Sequence, residues 1–339
     1  MVTGKVTTSA PSHSATAPAL QELHLEQKEL FDTIDALHAL DIDKIVDLPQ
    51  VVVVGNQSSG KSSVLSAISR VRFPTGSGIC TRFPMELALR TEPQERIAVF
   101  IVPEKGKRKE LSPRASKDDI PAAIDEAKKE LGIDKNTREI YRDILRIEIF
   151  APDVPNLTLV DLPGLYCGES QRQSLRGKDV ALDIARQYMS QKRCIILAVI
   201  SANTDISMDN AINLAKNDKV NPSLSRVLGT ITQVDRIDRN RTETQEYLRI
   251  ASGEDPTLLP RHGWHVLRNL SEEEVRSGLT EDDRDNTESE YFRKSSWKDY
   301  PSENKGIPNL CKKLSMLLVK HVSDSLPRVI GDIEEAIAS

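Results

Sequence analysis

The segment Gln50-Val-Val-Val-Val-Gly55 leaves this chain few folds to choose from. Four β-branched residues in a row are apolar on both faces. A strand of that kind needs cover on both, which the middle of a parallel sheet between helices provides. The glycine that ends it opens Gly55-Asn56-Gln57-Ser58-Ser59-Gly60-Lys61-Ser62, the spacing G-x-x-x-x-G-K-S, and a helical stretch over 63–69 follows. Strand, glycine-rich loop and helix in that order wrap backbone N–H groups around phosphate oxygens, at the helix end that favours negative charge. Lys61 then reaches the β- and γ-phosphates, and the Ser62 hydroxyl can ligate Mg2+. An accidental glycine-rich turn is the alternative, and the flanking strand and helix speak against it.

Two later segments extend this chemistry. In Leu157-Thr-Leu-Val-Asp161-Leu-Pro-Gly164 a strand delivers Asp161 at its C-terminal end, where ligands gather in parallel α/β sheets. The carboxylate can hold the Mg2+ shell there, and the Gly164 N–H can contact the γ-phosphate. An Asp-x-x-Gly by itself is a common turn; after a strand, and downstream of a phosphate loop, it becomes a switch. Thr232-Gln233-Val234-Asp235 follows the apolar run 227–231. An aspartate at that sheet edge accepts hydrogen bonds from both N1–H and the 2-amino group of guanine, donors that adenine lacks. A buried site built for one donor pattern rejects its analogue. An exposed turn aspartate is the alternative.

Charge narrows the partners. With 46 Lys+Arg against 51 Asp+Glu the net charge is −5, which argues against a nucleic-acid binder working through bulk positive charge. The four cysteines show neither metal spacing nor a disulfide framework and read as reduced thiols. No apolar run approaches the about 18 residues of a membrane span, and the N-terminus has no apolar stretch of a secretory signal. The expectation is a soluble, cytoplasmic protein, with any membrane contact peripheral.

Strand-like runs at 86–90, 97–102, 145–150, 157–160, 195–200, 227–231 and 264–267 alternate with loops and helices, the clearest helices at 118–131 and 180–190. That pattern implies an α/β fold with a mostly parallel central sheet flanked by helices. Residues 1–18, rich in Ser, Thr, Ala and Pro, read as a loose tail. Residues 19–46 carry an amphipathic helix and 310–339 a second, whose apolar stripe is interrupted at Pro327, where a kink or break is expected. The two terminal helices are expected to pack together beside the domain formed by 47–309; separate packing onto the main core is the alternative. The basic run Lys105–Lys109 and the mostly acidic run Ser271–Glu290 read as solvated loops.

With these residues in view, the chain resembles the dynamin superfamily of large GTPases, nearest its Mx-like and fungal dynamin-like branch. The matching segments are LPQVVVVGNQSSGKSSVLSAIS (Leu48–Ser69), FPTGSGICTRFP (Phe73–Pro84), LTLVDLPGL (Leu157–Leu165) and the SLP at Ser325–Pro327. The resemblance implies an extended Ras-like P-loop GTPase fold with a small helical bundle from the chain termini. It implies hydrolysis of GTP to GDP and phosphate with Mg2+, stimulated when two GTPase domains pair. In a full-length protein it implies self-assembly and membrane remodelling. Gly55, Asn56, Ser59, Gly60, Lys61, Ser62 and Ser63 would hold the phosphates, and Thr232, Gln233 and Asp235 the base. Thr81 would close over Mg2+ and the γ-phosphate, completing a metal set with Ser62 and Asp161. Gln57 and Ser58 would place the attacking water, beside Lys61 and Gly164. Ser58 with the Gly76 and Gly78 carbonyls would hold a monovalent cation, K+ or Na+. Asn203 and Asp205 would touch a second GTPase domain, and the terminal helices would relay the nucleotide state with Pro327 as hinge.

The residues agree with the resemblance at one point. Many small GTPases orient water with a glutamine directly after the DxxG glycine; Leu165 stands there and cannot. Gln57 is the nearest polar candidate, unless it simply faces solvent. There are also departures. Gln233 replaces the lysine of Thr-Lys-x-Asp, which should weaken base binding while Asp235 keeps specificity. Tyr166–Gly177 is unlike the usual loop after the switch. Arg268-Asn269 is the best alignment to the fifth motif. The chain stops at Ser339 without a stalk, which reads as part of a longer protein. A guanine-nucleotide-gated dimerisation module with negligible hydrolysis competes as a function, as does an ATP-using P-loop protein.

Overall fold

A computed structural model of the chain describes residues 28–37, 40, 48–71, 73, 81–111, 116–133, 139–166, 174–206, 209–217, 220–221, 223–238 and 241–338. The chain divides into two compact units, Met1–Val46 and Asp47–Ser339. In the first, residues 28–37 form helix α1. The expected tail at 1–18, and most of the helix expected over 19–46, lie outside the described residues.

The second unit runs β1 (Gln50–Val54), α2 (Lys61–Ser69), β2 (Met85–Thr91), β3 (Arg96–Val102), β4 (Lys109–Glu110), α3 (Ile120–Glu130), β5 (Ile144–Ala151), β6 (Leu157–Asp161), α4 (Leu175–Ser190), β7 (Cys194–Ser201) and α5 (Asn210–Ala215). It continues with β8 (Val227–Thr232), α6 (Val234–Ile237), α7 (Arg241–Ala251), β9 (Trp264–Val266), α8 (Glu272–Arg276), α9 (Glu281–Lys294) and α10 (Ile307–Ala338). The strands form one sheet in the order β4-β3-β5-β2-β6-β1-β7-β8-β9. From β6 to β9 every pairing is parallel. Beyond β6 the sheet turns mixed: β2 is antiparallel to β6 and parallel to β5, and β3 and β4 close that edge antiparallel.

The sequence explains the middle of the sheet. All five residues of β1 and all eight of β7 are buried, as strands covered on both faces must be. One face packs Val52, Val54, Ile196, Ala198 and Ile200 in a common cluster with Ala181, Ile184 and Ala185 of α4. Each large aliphatic side chain buried there contributes roughly 1.5–3 kcal/mol. At β8, Gly229 stands opposite Trp264 in the register, and a Cβ on it would come within 2.2 Å of the indole. Only glycine lets that ring lie against the strand.

The structure corrects two local expectations. The acidic run Ser271–Glu290 is not a loop but carries all of α8 and much of α9. Capping boxes start both helices, Ser271 with Glu274 and Thr280 with Asp283, and a Ser/Thr followed three residues on by an acid is a helix-start signal. The basic run Lys105–Lys109 is only partly solvated. Lys109 enters β4, and Arg108 lies 3.4 Å from the Phe100 ring centroid and pairs with Glu148. Helix α4 begins at Leu175, capped by the Ser174 hydroxyl, so the end of the stretch Tyr166–Gly177 is helical.

Helix α10 runs on through Pro327 without the expected break. The missing N–H there leaves the Ser323 carbonyl without its intrahelical donor, and two residues earlier the Ser325 hydroxyl donates to the His321 carbonyl. The stripe Ile307, Leu310, Leu314, Leu318, Val322 and Val329 is buried. Helix α10 packs directly on α2, β1, β6 and β7, and Arg193 before β7 pairs with Asp332 near its far end. Among the described residues no helix is long and apolar enough to cross a membrane.

Candidate nucleotide-binding site

The C-terminal ends of β6, β1, β7, β8 and β9 lie side by side, and the residues singled out above gather there. The loop between β1 and α2 is tightly constrained. A Cβ on Gly55 would come within 2.4 Å of the Val199 carbonyl oxygen, and Gly60 adopts φ +92° as the residue before α2. Ser58 is exposed and also left-handed, at φ 64°. Ser62 and Ser63 are half-buried in the first turn of α2. The Lys61 ammonium curls back to donate to the Gly55 carbonyl at 3.2 Å and the Asn56 carbonyl at 3.3 Å.

The Asp-x-x-Gly segment runs alongside this loop. The Gln57 N–H donates to the Leu165 carbonyl at 2.8 Å, and the Leu165 N–H donates to the Gly55 carbonyl at 3.1 Å. These bonds seat Gly164 so closely that a Cβ on it would lie 3.1 Å from Lys61 Nζ and 3.2 Å from the Gln57 Cα. Leu165 is buried, so its side chain cannot orient water, whereas Gln57 is half-buried beside Gly164.

Asp161 is fully buried at the end of β6. Burial pushes its carboxyl up to about 6, against the opposing pull of the Lys61 charge and of a hydrogen bond from Thr81. The Thr81 hydroxyl donates to Asp161 Oδ2 at 3.0 Å, while Oδ1 has no hydrogen-bond partner among the described residues. A buried carboxylate oxygen left unpaired is costly, and a hard cation is the partner that would satisfy it. Asp161, Thr81 and Ser62 are oxygen donors of the kind Mg2+ takes while keeping positions for phosphate oxygens and water. The residues therefore fit that ion.

At the base end, the Thr232 hydroxyl shares its proton between the carbonyls of Ser59 at 2.6 Å and Ile200 at 3.1 Å, tying β8 to the phosphate loop. Gln233, at φ 58°, folds toward the same loop: its amide donates to the Ser58 carbonyl at 3.1 Å and accepts from the Ser201 hydroxyl at 3.0 Å. Asp235 is partly buried. Burial raises its carboxyl, opposed first by Arg268, whose Nε stands 3.9 Å away. Arg268 is itself held by Glu274 at 2.7 Å. Asn269 is 7% exposed, and neither atom of its amide has a partner among the described residues. A Cβ on Gly60 would lie 3.1 Å from both that amide nitrogen and the Thr232 hydroxyl. The segment aligned by the weakest sequence signal thus reaches the phosphate loop itself.

Sequence reasoning missed the clamp on Asn56. Its amide donates to Asp209 Oδ2 at 2.9 Å and accepts from Asn210 at 2.8 Å, while the other Asp209 oxygen caps α5. Burial raises the Asp209 carboxyl against those helix amides and Lys61. Nothing in the local sequence links positions so far apart. Asn203 and Asp205 are exposed in the loop after β7. Gly76 and Gly78 lie outside the described residues.

Comparison with known proteins adds to this geometry. The dynamin family model matches residues 51–234, and the model of the dynamin central region matches 233–339. The interferon-induced GTP-binding protein Mx of Epinephelus coioides is 32% identical over 323 residues, covering 94% of this chain and 49% of that protein. The interferon-induced GTP-binding protein MxA of Danio rerio is 33% identical over 327 residues, covering 94% and 48%. Mx2 of Oncorhynchus mykiss is 31% identical over 319 residues, covering 93% and 48%. The chain spans about half the length of the curated relatives it matches. With a family match over more than half its residues, and a phosphate loop at the head of a parallel α/β sheet, this chain belongs to the dynamin family.

Proposed function

We propose that this chain is the GTP-hydrolysing part of a dynamin-like protein, turning GTP into GDP and phosphate with Mg2+. The observation that carries the reading is the meeting of Lys61, Gly164 and the Asp161–Thr81 pair at the phosphate loop. Bound Mg2+ would neutralise phosphate charge, and Asp161, Thr81 and Ser62 would hold it. Lys61 exchanges its two carbonyl partners for phosphate oxygens, and the Gly164 N–H faces the γ-phosphate. Gln57 orients the attacking water, since Leu165 cannot. Asp235 accepts from guanine, and the unpaired Asn269 amide supplies further hydrogen bonds at the same end.

Ser58 is the described member of a set, with the Gly76 and Gly78 carbonyls, that would hold K+ or Na+ where charge develops. Exposed Asn203 and Asp205 would meet a second GTPase domain, so the rate rises on pairing. In the longer protein the cycle would drive self-assembly and membrane remodelling, with the terminal helices bundled and Pro327 as hinge.

A second reading draws on Gln233, which binds the phosphate loop where the family has a lysine for the base. It makes the chain a guanine-nucleotide-gated dimerisation module with negligible hydrolysis. Phosphate release measured across protein concentration separates the two. A rate per molecule that climbs with concentration, and vanishes in Lys61→Ala, supports the hydrolase. A flat rate near zero supports the module, and undiminished turnover in Lys61→Ala removes both.

A further inference from the structure

Two distant chain segments meet on one carboxylate. Glu288 of α9 and its ion-pair partner Arg284 are each 2% exposed, with 3.1 Å between their charged groups. Glu288 Oε1 accepts the backbone N–H of Arg268 at 2.9 Å, and Oε2 accepts the backbone N–H of Ile307 at 2.9 Å. Arg268 opens the loop that puts Asn269 against the phosphate loop, and Ile307 is the first residue of α10. Two further bonds run beside the carboxylate. The Gly306 N–H donates to the Val266 carbonyl at 3.0 Å, and His265 Nε2 bonds the Gly306 carbonyl at 2.8 Å. A Cβ on Gly306 would lie 3.4 Å from Glu288 Oε2. Charge-assisted bonds of this kind are short and strong. In a buried network, moving one member strains the others.

We propose that Glu288 is the positioning residue of the base-recognition loop. Through its second oxygen, the first turn of α10 responds to an occupied nucleobase site rather than to a bound phosphate tail. The inference rests on the guanine-nucleotide reading above. It makes Glu288 part of specificity, although it is placed to touch two backbone amides and no nucleotide. The base loop reports to the start of α10, far along the helix from Pro327.

The test is amide hydrogen exchange at residues 307–312 of the wild-type chain with Mg2+ plus GDP, and with Mg2+ plus inorganic pyrophosphate. Each ligand is raised until the phosphate loop, 55–62, is equally protected. GDP is expected to slow exchange at 307–312 several-fold and pyrophosphate to leave it unchanged. Equal slowing by both, no slowing by GDP, or failure of pyrophosphate to protect 55–62 overturns the inference. Glu288→Gln keeps the size but turns one acceptor into a donor facing an N–H. It is expected to weaken GDP about tenfold, about 1.4 kcal/mol, and pyrophosphate less than twofold, and to abolish the GDP response of α10. An unchanged ratio of the two affinities overturns the claim. If losing the Glu288 charge beside buried Arg284, which also pairs with Asp285, prevents folding, Arg284→Gln with Glu288→Gln carries the same readouts. A wild-type chain that binds no GDP sinks the guanine reading itself. A chain that binds GDP tightly with a silent α10 sinks only the inference.

Discussion

Replacing Asp161 with asparagine should stabilise the empty protein while removing its Mg2+-dependent nucleotide binding. The carboxyl is fully buried and sits at about 6 instead of its ordinary 3.8. At about 1.4 kcal/mol for each tenfold change in proton affinity, that gap is about 3 kcal/mol of cost for the charged form. The sign follows from linkage. A group raised in the folded state contributes stability that is full below 3.8 and lost as pH rises through about 6. At pH 7.5 the wild type therefore bears the whole cost. Asp161→Asn keeps an oxygen to accept from Thr81 and sheds the charge, so it should unfold on the order of 5–10 °C higher, given about 2–4 °C per kcal/mol for domains of 150–250 residues. Its advantage should shrink as pH falls through 6. Differential scanning fluorimetry across pH without nucleotide, paired with titration of GTP and Mg2+, reads both effects. An empty variant no more stable than wild type, or one that binds Mg2+ and GTP as tightly, refutes the reasoning.

Further outcomes are expected elsewhere. Burial lowers the buried His265 imidazole to about 4 from 6.5, so its stabilisation is full above 6.5 and about 3 kcal/mol is lost as pH falls toward 4. Asp161 has the opposite sign over nearly the same window, so in urea denaturation Asp161→Asn should lose about 3 kcal/mol more stability than the wild type as pH falls from 6.5 to 4. Gly60→Ala, at φ +92° and within 3.1 Å of Asn269 and Thr232, should cost about 1–2 kcal/mol and weaken GDP at least tenfold by calorimetry. Gln233→Lys should tighten GDP several-fold in a fluorescent-nucleotide titration by restoring an aliphatic stem for the base. Asp235→Asn should turn preference in competition binding from guanosine toward xanthosine diphosphate.

Much of this fold is legible locally. A run such as Gln50–Val54 can be satisfied in few places, and the loop that follows needs its glycines for backbone reasons alone. Where several chain segments must combine, local reading fails. The antiparallel edge made by β3 and β4 depends on partners across the sheet. The acidic run after Ser271 reads as a loop because its charge outweighs two capping boxes, and because burial of Arg284 and Glu288 as a pair leaves no apolar signature. Asn269 was faintly marked because a short loop after a three-residue strand carries no periodicity, and only the fold brings it to Gly60. The Asn56–Asp209 clamp is of the same kind, two ordinary polar residues whose role exists in three dimensions.

Isothermal titration of the purified chain with GDP in the presence of Mg2+, beside Lys61→Ala, puts the central claim at risk most directly. Saturable binding of one nucleotide per chain, lost in the variant, is the expected result. No heat from the wild type, or the same heat from Lys61→Ala, would contradict it.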